Sequence, residues 1–342
     1  MFVTPRPSTQ LHINTDLVTD EQRKEFSTDH EKYQKFRKAI EADGNAVHEL
    51  GIRGSNMQNT MVDVFRKSMK ERLAKKPELI EHFTPTFGIG CRRLTPAPGF
   101  IEAIVEPNVD FIRDEISHIN PTGIELQNGR KIDLDVLVCA TGFETSSIPP
   151  YPVVGTNGTL RERFTPHAES YLSIAVDGFP NFFFILGPNS GIGAGSLTIL
   201  LEGEGDYIIK CIRKLQKEDY VSMVPKAARV RDFSAYVFDY FKRTVYMDDC
   251  KSWYKSPSGD RITILWPGSS LHALECFRSP RWEDFDYETN EENRLRWLGN
   301  GWSVSLTGGA DPAWYIADGF VDQPPVGTPE NDTKLETRPF SN

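Results

Sequence analysis

Apolar residues recur at helical spacing in the first quarter of the chain and gather into short strand-like runs after it. Across residues 17–82, Phe26, Tyr33, Phe36 and Ile40, then Met61, Val64, Phe65, Met69 and Leu73, lie three, four or seven positions apart amid charged residues, the adjacent pair Val64-Phe65 excepted. That interval lines one face of an α-helix. It predicts two to four helices, punctuated by Asp43-Gly44 and by Gly51 and Gly54. From residue 83 the period shortens. Residues 109–112, 116–119 and 124–126 are strand candidates. Asn128-Gly129 is a tight-hairpin signal between the last of these and 131–134.

Two apolar runs are expected to be buried strands. One is 135–140, DVLVCA, closed by Thr141-Gly142; the other is 181–186, NFFFIL, closed by Gly187-Pro188. Gly191, Gly193 and Gly195 then lead into an apolar-periodic segment that predicts a long helix from 196 to 215. Strands that end in glycine turns and feed helices indicate an α/β, Rossmann-like nucleotide-binding architecture. The helical block is then an insertion. Phe2-Val3 reads as the end of a strand stopped by Pro5 and Pro7. Residues 323–342, polar and rich in Pro and Thr, are expected to be a disordered tail.

Composition narrows the class. The 342 residues are 39% apolar and 25% charged, ordinary for a globular protein. A net charge of −9 argues against nucleic acid or an anionic membrane as partner. No apolar run reaches membrane-spanning length, and the first ten residues lack the basic-then-apolar layout of a secretory signal, so a cytoplasmic location is expected. The five cysteines, Cys91, Cys139, Cys211, Cys250 and Cys276, have no CxxC spacing. Free thiols in a reducing compartment, without a disulfide framework or zinc site, are expected. His82, His118, His167 and His272 show no metal spacing, and GxSxG, HExxH and P-loop motifs do not occur.

Several segments carry a resemblance. Residues 135–143, DVLVCATGF, are similar to the strand-end ATG-[FY] motif of flavoproteins with two dinucleotide-binding domains. One segment precedes it, 86–93, TFGIGCRR, and four follow: 179–190, FPNFFFILGPNS; Ser252-Trp253-Tyr254; Trp266-Pro267-Gly268; and 280–284, PRWED. Together they resemble the C-terminal part of flavin-containing (class B) monooxygenases of the Baeyer–Villiger type, in particular fungal members. The resemblance implies oxygen insertion into a ketone, or oxidation of a heteroatom, in secondary metabolism, with FAD, NADPH and O₂.

For single residues the resemblance implies the following. Arg93 sits over the flavin, where its fixed guanidinium would stabilise an oxygen-centred anion; alone, Arg92-Arg93 would read as a solvated basic pair. Arg92 would contact a cofactor phosphate. Thr141 and Gly142 would lie at the crossing between the NADPH and FAD domains. Gly187, Pro188, Asn189 and Ser190 would face the flavin pyrimidine, a stretch that otherwise reads as a capped helix start. Trp253 would fence the nicotinamide, or else be core.

On the same basis residues 1–12 and 83–140 would be part of the NADPH domain and 13–82 an insertion. Residues 141–322 would be the C-terminal part of the FAD domain. The two GxGxxG fingerprints that cradle cofactor pyrophosphates do not occur. Little FAD is therefore expected on the chain by itself. A non-catalytic role, pairing with a full-length homologue, and a cofactor-free enzyme using the same pocket are the rival readings.

Overall fold

The structure, a computed structural model, describes residues 2–3, 10–11, 18–96, 99–143, 145, 147–309 and 311–316. Contacts divide the chain into Met1–Asn290 and Glu291–Asn342.

In the first unit the helices are α1 (Asp20–Thr28), α2 (His30–Ala46), α3 (Asn56–Arg72), α4 (Ile80–Phe83), α5 (Phe100–Ile104), α6 (Leu160–Arg163), α7 (Leu197–Lys217), α8 (Ala227–Phe241) and α9 (Ser270–Phe277). The expected helical block forms. Thr19 caps α1 in a capping box with Gln22, and Ser55 accepts from Gln58 N–H at 3.0 Å to start α3. α1 and α2 bury no residue; Phe26 meets Phe36 and Tyr33 with ring centroids 4.9 and 5.8 Å apart. α3 carries more of the packing. Its stripe continues through Met69 and Leu73 into a core with Phe83, Ile101 and Ile104, while Phe65 joins Leu50 and Ile89.

The strands are short: β1 (Phe2–Val3), β2 (Gln10–Leu11), β3 (Thr95–Pro96), β4 (Phe111–Ile112), β5 (Ile116–Asn120), β6 (Gly123–Leu126), β7 (Lys131–Asp133), β8 (Val154–Gly155), β9 (Gly158–Thr159), β10 (Ser222–Pro225) and β11 (Phe285–Glu288). β1 pairs with β4 and β2 with β3, both parallel. β5-β6-β7 is the antiparallel meander that Asn128-Gly129 predicts, with Ile124 opposite both Ile119 and Ile132. Gly129 turns it at φ +82°.

The largest core joins α7, α8, α9 and the antiparallel β10–β11 pair through Tyr207, Phe241, Trp266 and Phe277. Burying one such side chain stabilises the fold by roughly 1.5–3 kcal/mol. Gly203, inside α7, has a reason to be glycine. A Cβ there would lie 2.9 Å from Leu274 of α9, so the two helices approach over it.

Both expected buried strands are corrected. Residues 136–140 have no regular structure, and Val136 and Val138 are 75% and 81% exposed. Among the described residues no strand hydrogen-bonds to them, and an apolar run without a neighbouring strand has no sheet to be buried in. Residues 181–186 make a single bridge, Ala175 to Phe183. Asn181 and Leu186 take φ +60° and +59°, which breaks the pleat at both ends. The cysteine expectation is corrected too: Cys91 and Cys250 are disulfide-bonded, while Cys139, Cys211 and Cys276 are free.

In the second unit, Val304–Thr307 is a short helix between 3₁₀ turns at Arg296–Leu298 and Trp314–Ile316. The expected tail, 323–342, lies outside the described residues, as do Pro5 and Pro7. Among the described residues, no helix is long and apolar enough to cross a membrane. Among them, too, no group of three or more His, Cys, Asp or Glu side chains is placed to hold a metal.

Candidate functional site

Two loops, at 84–96 and 248–259, supply two walls of a cleft of about 960 Å³, and residues from 145–148 and 164–168 line most of the rest. They are joined by the Cys91–Cys250 bond and by Gly88 N–H donating to Asp248 Oδ2 at 2.8 Å. Arg53 pairs with the same carboxylate at 2.8 Å. Arg92, Arg93, Lys251, Lys255 and Trp253 line the cleft, with Asp249 as a carboxylate among them.

Arg93 is aimed by its neighbours. Its Nε donates to the Tyr254 hydroxyl and one Nη to the Ile192 carbonyl, each at 3.3 Å. Tyr254 is itself 2% exposed, so the partner that orients the guanidinium is fixed by packing. Trp253, next in sequence, stays half-exposed with its ring 4.9 Å from that of Tyr254. Lys255 donates to the Asp248 carbonyl, and burial pulls its ammonium below the usual lysine range against the pull of Asp249 and Asp248. Positive charge and an aromatic face are therefore concentrated in one concave place, although the chain as a whole is acidic.

Arg92, Arg93 and Trp253 are thus brought together from positions 160 residues apart. The other sequence candidates lie elsewhere. Thr141 and Gly142 are exposed and outside the cleft lining. Gly187, Pro188, Asn189 and Ser190 are buried and outside the cleft lining. Asn189 N–H donates to Thr263 O at 2.9 Å, and its side-chain amide to Ile262 O and Leu265 O at 3.0 and 3.1 Å. Ser190 N–H and hydroxyl both go to Gly187 O. A Cβ on Gly187 would stand 2.2 Å from Ser173 O, so close packing requires glycine there.

Sequence reasoning missed Lys251, Lys255 and Tyr254, although KSWYK places both lysines beside the Ser-Trp-Tyr element. It also missed Glu204. This α7 carboxyl is fully buried and accepts from Leu186 N–H at 3.0 Å through Oε2, while Oε1 has no partner. Burial pushes it up to about 7. Nearby in the main core, Tyr171 donates to Asp284 at 2.6 Å, and Arg281 donates to the same oxygen.

The cleft's donors suit a ligand that combines phosphates with a flat ring, as FAD and NADPH do. In the 187–190 turn the N–H groups of Asn189 and Ser190 are bonded within the chain.

These features fall within a recognisable class. The chain shares its α/β fold with a solved structure of cyclohexanone monooxygenase from Rhodococcus sp. Phi1 bound to NADP+, at a TM-score of 0.71 and 17% identity over 84% of this chain and 62% of that one. In sequence it is 34% identical over 331 residues to the FAD-binding monooxygenase moxY of Dothistroma septosporum, covering 92% of this chain and 53% of moxY. It is 32% identical over 197 residues to a Baeyer–Villiger monooxygenase of Pseudomonas aeruginosa, covering 57% of this chain and 37% of that protein. No family model matches. The chain resembles flavin-containing monooxygenases of the Baeyer–Villiger type, and it spans about half the length of the curated relatives it matches.

Proposed function

We propose that this chain supplies the Arg93 and Trp253 side of an FAD- and NADPH-dependent monooxygenase site of the Baeyer–Villiger type. The reaction would insert one atom of O₂ into a ketone and reduce the other to water at the expense of NADPH. Oxidation of a heteroatom is the same chemistry on a softer substrate. The observation that carries this reading is the cleft where Arg92, Arg93, Lys251 and Trp253 converge. FAD, when bound, would supply the oxygen chemistry. Arg93 would offer a non-titrating cation to negative charge on oxygen, Arg92 and Lys251 would hold phosphate, and Trp253 would pack on a ring. On this reading 1–12 and 83–140 belong to the NADPH-binding part and 141–322 to the FAD-binding part. A place in fungal secondary metabolism is part of this reading.

The test joins the chain to an N-terminal segment that carries the glycine-rich loops of a related full-length monooxygenase, with FAD, NADPH and a panel of ketones. Ester formation is expected, and Arg93→Ala should abolish it while NADPH oxidation persists in part. Ester production undiminished by Arg93→Ala would remove Arg93 from that role.

One observation favours a second reading, in which the chain pairs with another chain and is not itself catalytic. Val136, Val138 and Phe143 are 75%, 81% and 97% exposed along one continuous segment, an apolar stretch of the kind that partners cover. A chain that co-purifies as a defined hetero-complex, and that lacks oxygenation with the added segment, would support it.

A further inference from the structure

Cys91 and Cys250 lie 159 positions apart and close two walls of the cleft on each other. Cys91 directly precedes Arg92 and Arg93, and Cys250 directly precedes Lys251, Ser252 and Trp253. Cys91 is wholly buried. Cys250 is 7% exposed and is among the residues that line the cleft, which makes it the cysteine of the pair that a reagent in the cleft would meet. Two hydrogen bonds run beside it between the same segments: Gly88 N–H to Asp248 and Arg93 Nε to Tyr254.

We propose that Cys91–Cys250 is a thiol–disulfide exchange site, and that its redox state decides whether the walls of the cleft stay together. The co-reactant is a small dithiol. One of its thiolates attacks Cys250 Sγ from the cleft, the Cys91–Cys250 bond breaks, and Cys91 leaves as a thiolate that takes up a proton. The second thiol of the dithiol then displaces Cys250 from the mixed disulfide. The dithiol ends as a cyclic disulfide and the chain as two thiols, a two-electron reduction with both protons accounted for. Arg92, Arg93, Lys251 and Lys255 on the cleft lining, against Asp249, favour the approaching thiolate. Cys91 Sγ, 3.8 and 3.7 Å from the Tyr246 and Asp248 carbonyl oxygens, is held as a protonated thiol once it has left.

With the bond open, the 248–259 segment is held by hydrogen bonds and packing without its covalent tie. Arg92 and Arg93 then lose their fixed distance from Lys251 and Trp253. This exchange does not depend on which ligand the cleft takes.

The full chain is incubated with dithiothreitol without denaturant, alkylated and mapped by mass spectrometry, with trypsin cleavage after Lys251 timed in parallel. Before reduction Cys139 should be alkylated while Cys91 and Cys250 are protected. After reduction both should be modified, and cleavage after Lys251 should speed up on the order of tenfold as the segment opens. A Cys91→Ser/Cys250→Ser variant should show the fast cleavage without dithiol; should that variant fail to fold, the wild-type comparison decides alone. A bond that resists the dithiol until denaturant unfolds the chain would overturn the proposal. So would reduced and oxidised chains cut after Lys251 at the same rate, or thiols at 91 and 250 alkylated at the outset.

Discussion

Replacing Glu204 by Gln probes the most deeply buried carboxyl among the described residues. Glu204 is fully buried on α7, and its carboxyl is pushed from 4.5 to about 7 by burial, against the opposing effect of the Leu186 N–H. Between those two pH values the folded chain keeps a proton that the unfolded chain releases. Stability therefore falls as pH rises through this window, and it levels off above the folded-state value. At about 1.4 kcal/mol per pKa unit the loss is roughly 3 kcal/mol. Gln resembles the protonated acid. Its carbonyl can still accept from Leu186 N–H, and its amide stands where Oε1 already lacks a partner. Glu204→Gln should thus sit within about 1 kcal/mol of wild type at pH 5. At pH 8 it should be more stable than wild type by roughly 3 kcal/mol. Urea unfolding of both proteins at a series of pH values measures this. Other titrating groups, His48 among them, are common to both and cancel in the difference. A difference that does not change from pH 5 to pH 8 would refute the reasoning.

Two further substitutions test local features. Gly187→Ala drives a Cβ to 2.2 Å from Ser173 O, and urea unfolding should show a loss of roughly 1–3 kcal/mol; an unchanged midpoint would show that the turn has room. The Arg72 guanidinium, 2.8 Å away, holds the Glu102 carboxyl down at about 2. A depressed carboxylate stabilises the fold above its unfolded value near 4.5, and that contribution is lost as pH falls toward 2. Glu102→Gln should flatten this acid limb, and a limb of unaltered slope would count against the pair.

The helices were legible because they are made locally. The Met61, Phe65, Met69, Leu73 stripe and the caps at Thr19 and Ser55 are short-range features, as is the Asn128-Gly129 hairpin. The strand at 135–140 was misread because an apolar run specifies burial only when a partner strand exists. Val138 stands 81% exposed without one. Composition could not pair Cys91 with Cys250 either, since the bond depends on a contact across 159 positions. Arg92, Arg93 and Trp253 were legible as short motifs beside recognisable neighbours. That they share a cleft, and that Tyr254 aims Arg93, follows from packing alone. Glu204 carried no local signal: a glutamate within an apolar helix reads as its polar face until the Leu186 turn folds over it.

The central claim is that the cleft of Arg92, Lys251 and Trp253 binds a phosphorylated nicotinamide dinucleotide. Calorimetric titration with NADP+ at low salt, of the chain joined to the glycine-rich N-terminal segment described above, tests it most directly, alongside Arg92→Ala and Lys251→Ala in the same joined protein. The expected result is saturable one-to-one binding, weakened roughly tenfold or more by either substitution, as loss of a charge-assisted hydrogen bond requires. No saturable binding by the wild-type chain, or equal binding by all three proteins, would contradict it.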